Sequence, residues 1–196
     1  TAPYGSWTSP ISAERVMASS ARIGEVAVAA PGHADGQSLG SIWWSEMRPA
    51  EGGRNQLVRR DPDRDPVDVL GDGFSARSMV HEYGGGSWWL AGDALFFVNG
   101  ADQRIWRIDP GFEPVAITPA PSNSCGLRYA DGVVTPDLRW IVCVQEAHPG
   151  EYGVPATATE PQNRLVAVPA TGGMPVVLRS TSDFVMSPRL DQVGEL

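Results

Sequence analysis

The chain has 196 residues, 42% of them hydrophobic and seven of them Trp, enough to bury a real core in one domain or a little more. Its formal charge of −8, from 23 acidic against 15 basic residues, repels phosphate backbones, and no basic patch offsets it, so nucleic acid is not an expected partner. Every basic residue is Arg, which excludes mechanisms that need a Lys amine, including Schiff bases and P-loop phosphate binding.

The N-terminal stretch Thr1 to Pro10 lacks a basic segment followed by an apolar one, and no apolar run approaches the ~20 residues that cross a bilayer. The default expectation is a soluble cytoplasmic protein with no membrane partner. Ser12 to Ser20 is the one helical candidate, with Ser12 placed to cap the first turn and Val16 and Met17 placed to face inward. From Ile23 onward the pattern changes to short β-type runs broken by Gly, Pro and Asp, the habit of an all-β array.

These runs fall into groups of four. The first is Glu25 to Ala29, Ser41 to Met47, Gln56 to Arg60 and Val67 to Leu70. The second is Ser87 to Leu90, Ala94 to Val98, Arg104 to Ile108 and Pro114 to Ile117, and the third is Ala130 to Val134, Arg139 to Gln145, Arg164 to Val168 and Pro175 to Leu178. The clearest unit is the hairpin from Arg128 to Glu146, two strands about a turn at Pro136-Asp137. Ala94-Leu95-Phe96-Phe97 aligns with Arg139-Trp140-Ile141-Val142 about 45 residues on, within the roughly 40–50 of propeller blades.

The predicted fold is therefore all-β: a partial β-propeller of about three four-stranded antiparallel blades plus the start of a fourth. An arm with a short helix occupies 1–21 and the propeller occupies 22–196, with blades near 22–70, 87–117 and 128–178 and the next opening at 183–196. A compact β-sandwich uses similar strands and remains the alternative. The stretch from Gln145 to Gln162, rich in Pro, Gly, Ala and Thr, reads as a surface loop, mobile or poised over a partner. The expectation is of a ring that cannot close within these residues, and of self-association through raw sheet edges and uncovered blade faces.

Gly36-Gln37-Ser38-Leu39-Gly40 matches the G-x-S-x-G nucleophile elbow, and His81 or His148 could complete a triad with it. An elbow needs a buried strand before the Ser and a helix after it, whereas a polar loop precedes this one and a β-type run comes next. A small serine esterase using Ser38 is kept as a remote alternative. His81-Glu82-Tyr83-Gly84-Gly85-Gly86 is the most distinctive string. Its glycines suit a backbone approached closely at the inner edge of a blade. Glu82 could hold a substrate's amino group, with His81 and Tyr83 beside it, or it could pair with an Arg such as Arg77 while His81 packs inside.

The glycine run lacks the G-x-G-x-x-G spacing and a following helix, so no dinucleotide cofactor is expected. His33, His81 and His148 have no close pairing in sequence and no Cys-x-x-Cys exists, so no metal is expected. Trp43-Trp44 and Trp88-Trp89 each place one indole on either face of a strand, with inter-blade packing the preferred role. Cys125 and Cys143 are too few for a disulfide framework, and Cys143 between two valines reads as a small buried thiol.

Thr1-Ala2-Pro3-Tyr4-Gly5-Ser6-Trp7 with Ser9-Pro10-Ile11, Glu51-Gly52-Gly53-Arg54, Val80-His81-Glu82-Tyr83-Gly84-Gly85-Gly86, Ala101-Asp102-Gln103-Arg104 and Arg128-Tyr129-Ala130-Asp131-Gly132 give the chain a family resemblance. Across nearly its whole length it resembles the N-terminal propeller of bacterial prolyl oligopeptidase-family serine peptidases, nearest their acylaminoacyl or dipeptidyl peptidase-like branch. The resemblance implies that the propeller caps a C-terminal α/β-hydrolase domain, its partner, which carries the Ser, Asp and His that cleave short peptides. No catalytic residue is then expected here. What transfers is a role in screening substrates, with Arg77, His81, Glu82 and Tyr83 as the substrate-facing candidates. Leu138 stands where a turn glycine is common, and the Asp191 to Leu196 ending departs from the family pattern. A stand-alone propeller scaffold for protein interactions is the alternative of a different class.

Overall fold

The computed structural model describes residues 3–17, 21–29, 40–181 and 183–191. Among these, twelve strands build three antiparallel four-stranded sheets, each in simple sequence order. Blade 1 holds β1 (Arg22–Val28), β2 (Ile42–Arg48), β3 (Arg54–Arg60) and β4 (Val67–Asp68). Blade 2 holds β5 (Trp88–Ala91), β6 (Ala94–Val98), β7 (Ile105–Ile108) and β8 (Val115–Ala116). Blade 3 holds β9 (Leu127–Val134), β10 (Trp140–Ala147), β11 (Gln162–Pro169) and β12 (Val176–Thr181). The three groups of four runs in the sequence are these three blades, and β6 and β10, the aligned segments, are the second strand of their blades.

The first strands converge. β1, β5 and β9 line a cavity of about 750 Å³ whose wall includes Glu25, Val26, Trp89, Asp131, Gly132 and Arg189. The blades meet through their side chains, and the Trp pair of β5 shows how. Neighbouring side chains on a strand point to opposite faces. Trp88 joins Leu57, Leu70, Leu95 and Phe97 in the core between blades 1 and 2. Trp89 joins Phe96, Tyr129, Ile141 and Val166 between blades 2 and 3. Each such buried large side chain contributes about 1.5–3 kcal/mol relative to exposure. Phe74 adds edge-on contacts to Phe97 and Trp106, with ring centroids 5.7 and 4.9 Å away.

The helix α1 (Ala13–Met17) is one turn long, and Ser12 caps it as expected: its Oγ accepts the Arg15 backbone N–H at 3.1 Å. Val16 does not face inward but is exposed, because a single turn presents no face wide enough to form a core. The expected continuation to Ser20 lies outside the described residues. The surface loop expected from Gln145 to Gln162 is present but shorter, because β10 runs to Ala147 and β11 begins at Gln162. Gln145 to Ala147 belong to β10, and the next residues are pinned by the buried Glu151, whose carboxylate accepts the backbone N–H groups of Ser122 at 3.0 Å and Asn123 at 2.6 Å. Val154 is buried beside it.

At the tip of the β9–β10 hairpin the Thr135 hydroxyl donates to Asp137 Oδ1 at 2.6 Å, and Leu138 adopts φ +58°. The position where the family pattern favours glycine thus has the left-handed backbone that glycine accommodates without strain. Residues 183–191 form no strand; they run past the inner edge of blade 3, where Ser187 meets Asp131. Cys125 and Cys143 are both free thiols, and burial pushes Cys143 well above the ordinary thiol range.

Candidate functional site

The string from His81 to Gly86 forms a tight turn, Val80–Glu82, that precedes β5 and leans on the inner hairpin of blade 3. Its root is fixed from three directions. The buried Gln103 accepts the Met79 N–H through Oε1 at 2.7 Å and donates through Nε2 to the Arg77 carbonyl at 3.2 Å. Ser78 Oγ donates to the Tyr129 carbonyl at 2.7 Å, and Val80 packs against Ala130 and Val144. Within the turn His81 and Glu82 have φ of +55° and +63°. Side chains other than glycine's rarely take that conformation, and they keep it only where the surroundings over-determine it.

The surroundings do so through a network of charges. Arg128 and Glu146 are cross-strand partners on β9 and β10, and Arg128 Nη1 lies 3.1 Å from Glu146 Oε1. The same nitrogen donates to the Met79 carbonyl at 2.9 Å and to Glu82 Oε1 at 2.5 Å. Glu146 accepts the His81 backbone N–H on Oε2 and the His148 Nε2–H on Oε1, both at 2.7 Å. The His81 ring packs against Phe184 with centroids 4.3 Å apart and planes tilted by 41°, and its Nε2–H donates to the Val185 carbonyl at 3.1 Å. Hydrogen bonding and attraction from Arg128 hold the Glu82 carboxyl below the usual carboxylate range, so it is ionised at neutral pH.

The glycines allow this turn to sit where it does. A Cβ on Gly85 would stand 2.8 Å from the Ala130 Cβ, and Asp131 Oδ1 accepts the Gly86 N–H at 2.6 Å. Asp131 also accepts the Ser187 N–H on Oδ2 at 2.8 Å, so one side chain joins blade 2 to the segment leaving blade 3. The expected close approach of backbone at the inner edge of a blade is what the structure shows.

His81, Glu82 and Tyr83 thus occupy one turn, with Glu82 and Tyr83 exposed and His81 largely covered. Arg77 is placed elsewhere, lining a cavity of about 560 Å³ between blades 1 and 2 with Arg22, Glu25, Asn55 and Ser87. The arginine that pairs with Glu82 is Arg128. Arg128 heads one of the strings that carry the resemblance and His148 is a candidate only beside Ser38, but no motif joins either to Glu82, and Glu146 stands in none. The usable signal was that opposite charges bracket the Pro136-Asp137 turn at nearly equal distances. Ser38 and His33 lie outside the described residues, and Gly40 leads into strand β2 rather than into the helix an elbow requires. Among the described residues no group of three or more His, Cys, Asp or Glu side chains is arranged to hold a metal ion, and no helix is long and apolar enough to cross a membrane.

Among solved structures the chain is similar to a Mycobacterium tuberculosis puromycin-hydrolyzing peptidase, at 34% identity and a TM-score of 0.79 over 99% of this chain. It is also similar to a puromycin hydrolase, at 32% identity and a TM-score of 0.64 over 87% of the chain. A serine-to-alanine mutant of puromycin hydrolase complexed with PGG matches at 34% identity with a TM-score of 0.65. The chain is a propeller segment of the prolyl oligopeptidase family. It spans 30% of the first of those peptidases and 25% of the other two. A scan against protein-family models finds no match, nor does a search of curated proteins. In this propeller segment the H-E-Y-G-G-G string and the Arg128-to-Gly132 string, two carriers of the resemblance, are the strings that meet at the blade 2–blade 3 junction.

Proposed function

We propose that this propeller segment gates and helps to select short peptides for an α/β-hydrolase domain that performs the cleavage, and that Glu82 receives the free amino group of the substrate. The observation that carries the reading is the state of Glu82. It is ionised, 69% exposed at its side chain, and fixed through one carboxylate oxygen to a guanidinium while the other oxygen makes no hydrogen bond among the described residues. An ammonium group is the chemistry that such an oxygen recognises. The exposed Tyr83 ring offers an apolar surface beside it, His81 anchors the turn through its backbone N–H on Glu146, and Arg77 contributes positive charge in the separate cavity between blades 1 and 2. The three similar solved structures are all named for puromycin hydrolysis, and one of them is complexed with PGG. On this reading the chain belongs, within the acylaminoacyl and dipeptidyl peptidase-like branch of the family, with enzymes that read the substrate's N-terminus. Two free thiols fit a reducing cytoplasm.

The test is a Glu82→Gln variant of the peptidase that carries this propeller, assayed on matched aminoacyl and N-acylated aminoacyl chromogenic substrates. Loss of one charge-assisted contact raises KM for the free amine about tenfold and leaves the acylated substrate within about twofold. Equal changes on both substrates would remove Glu82 from recognition.

A further inference from the structure

We propose that Arg128, backed by Glu146, is a positioning residue that aims the outer oxygen of Glu82 at the substrate ammonium; this rests on the role given to Glu82 above. A glutamate on an exposed turn ordinarily samples many rotamers, and a ligand must then bear the cost of ordering it. Here the ordering is already done. Arg128 Nη1 reaches both Glu82 Oε1 at 2.5 Å and the carbonyl of Met79 at 2.9 Å, and those two acceptors belong to the same turn. The guanidinium therefore locks the side chain against the backbone that carries it.

Glu146 makes the lock rigid. Its side chain is 5% exposed, and it grips Arg128 with Oε1 at 3.1 Å while Oε2 takes the His81 N–H at 2.7 Å, one residue before Glu82. A single buried carboxylate thus holds both the cation and the strained backbone. His148 Nε2 closes its remaining side at 2.7 Å. Two carboxylates share one guanidinium, and the inner one is sealed from water. The excess negative charge can meet a ligand only through the exposed carboxylate of Glu82, whose Oε2 makes no hydrogen bond among the described residues.

The experiment compares three variants of the peptidase that carries this propeller: Glu82→Gln, Arg128→Gln, and the double variant Arg128→Gln with Glu146→Gln. The double variant leaves no bare charge inside and so guards against simple misfolding. KM and kcat are measured on free-amine and N-acylated substrates, with unfolding midpoints as a check. Arg128→Gln and the double variant each raise KM for the free amine about tenfold, as Glu82→Gln does, with kcat and the acylated substrate within about twofold. Arg128→Lys, which keeps the charge but loses the planar fork, falls between. The positioning role is overturned if the folded double variant keeps the parental free-amine KM while Glu82→Gln raises it. If Glu82→Gln itself leaves KM unchanged, the recognition reading fails first and takes the positioning role with it.

Discussion

Blade 2 and blade 1 are written in similar residues and end up in opposite environments. Every residue of β6 in blade 2 is buried, with Phe97 and Val98 at 0% exposure, whereas on β1 of blade 1 Val26 and Val28 stand at 61% and 70%. Blade 2 has a neighbour on both faces. On blade 1, Ala27 and its cross-strand partner Trp43 pack toward Trp88, while Val26 and Val28 point the other way. Burial in this architecture belongs to the junction between blades, and an apolar strand acquires its value only when a second sheet arrives to cover it.

Three changes put that contrast at risk. The largest effect is expected of Phe97→Ala, which empties the junction of blades 1 and 2 and costs about 3–5 kcal/mol, while Val26→Ala stays within about 0.5 kcal/mol. Denaturant unfolding of both variants checks it, and equal losses would contradict the contrast. Next is Gly132→Ala. A Cβ there would overlap the Trp89 indole, so the junction of blades 2 and 3 must shift, at about 1–3 kcal/mol, whereas Gly71→Ala meets nothing within 4 Å and is close to neutral. Thermal unfolding midpoints distinguish the two. The smallest effect on stability is expected of the paired change Val26→Glu with Val28→Glu. We propose that the isolated chain self-associates through such uncovered apolar faces, and this pair lowers the weight-average mass in sedimentation at high concentration without lowering the unfolding midpoint. A monomer at every concentration before the change would end that proposal.

The contrast also explains which parts of the site were legible. The glycines before β5 announced a crowded backbone because crowding leaves a compositional trace, and Trp88-Trp89 announced two interfaces because adjacent strand residues must face apart. The register that pairs Arg128 with Glu146 left no such trace. From Ile141 opposite Val134 and Val142 opposite Val133, regular pairing would set Glu146 against Tyr129. The register slips between Val142 and Val144, where Asp131, at φ +56°, and Gly132 form a bulge, and Glu146 then faces Arg128. The ion pair that holds Glu82 depends on that one extra residue.

Local chemistry was enough for the twelve strands, their grouping into three blades, the capped first turn at Ser12 and the hairpin turn at Pro136-Asp137, because each arises from alternation, turn chemistry or capping within a few residues. Tertiary contacts alone settled that Glu82 pairs with Arg128 rather than Arg77, that Glu151 ties down the loop beyond β10, and that Val26 lies bare while Phe97 is sealed. Those outcomes depend on register and on the approach of one sheet to another. Both come from contacts between residues far apart in the chain, and no local pattern records them.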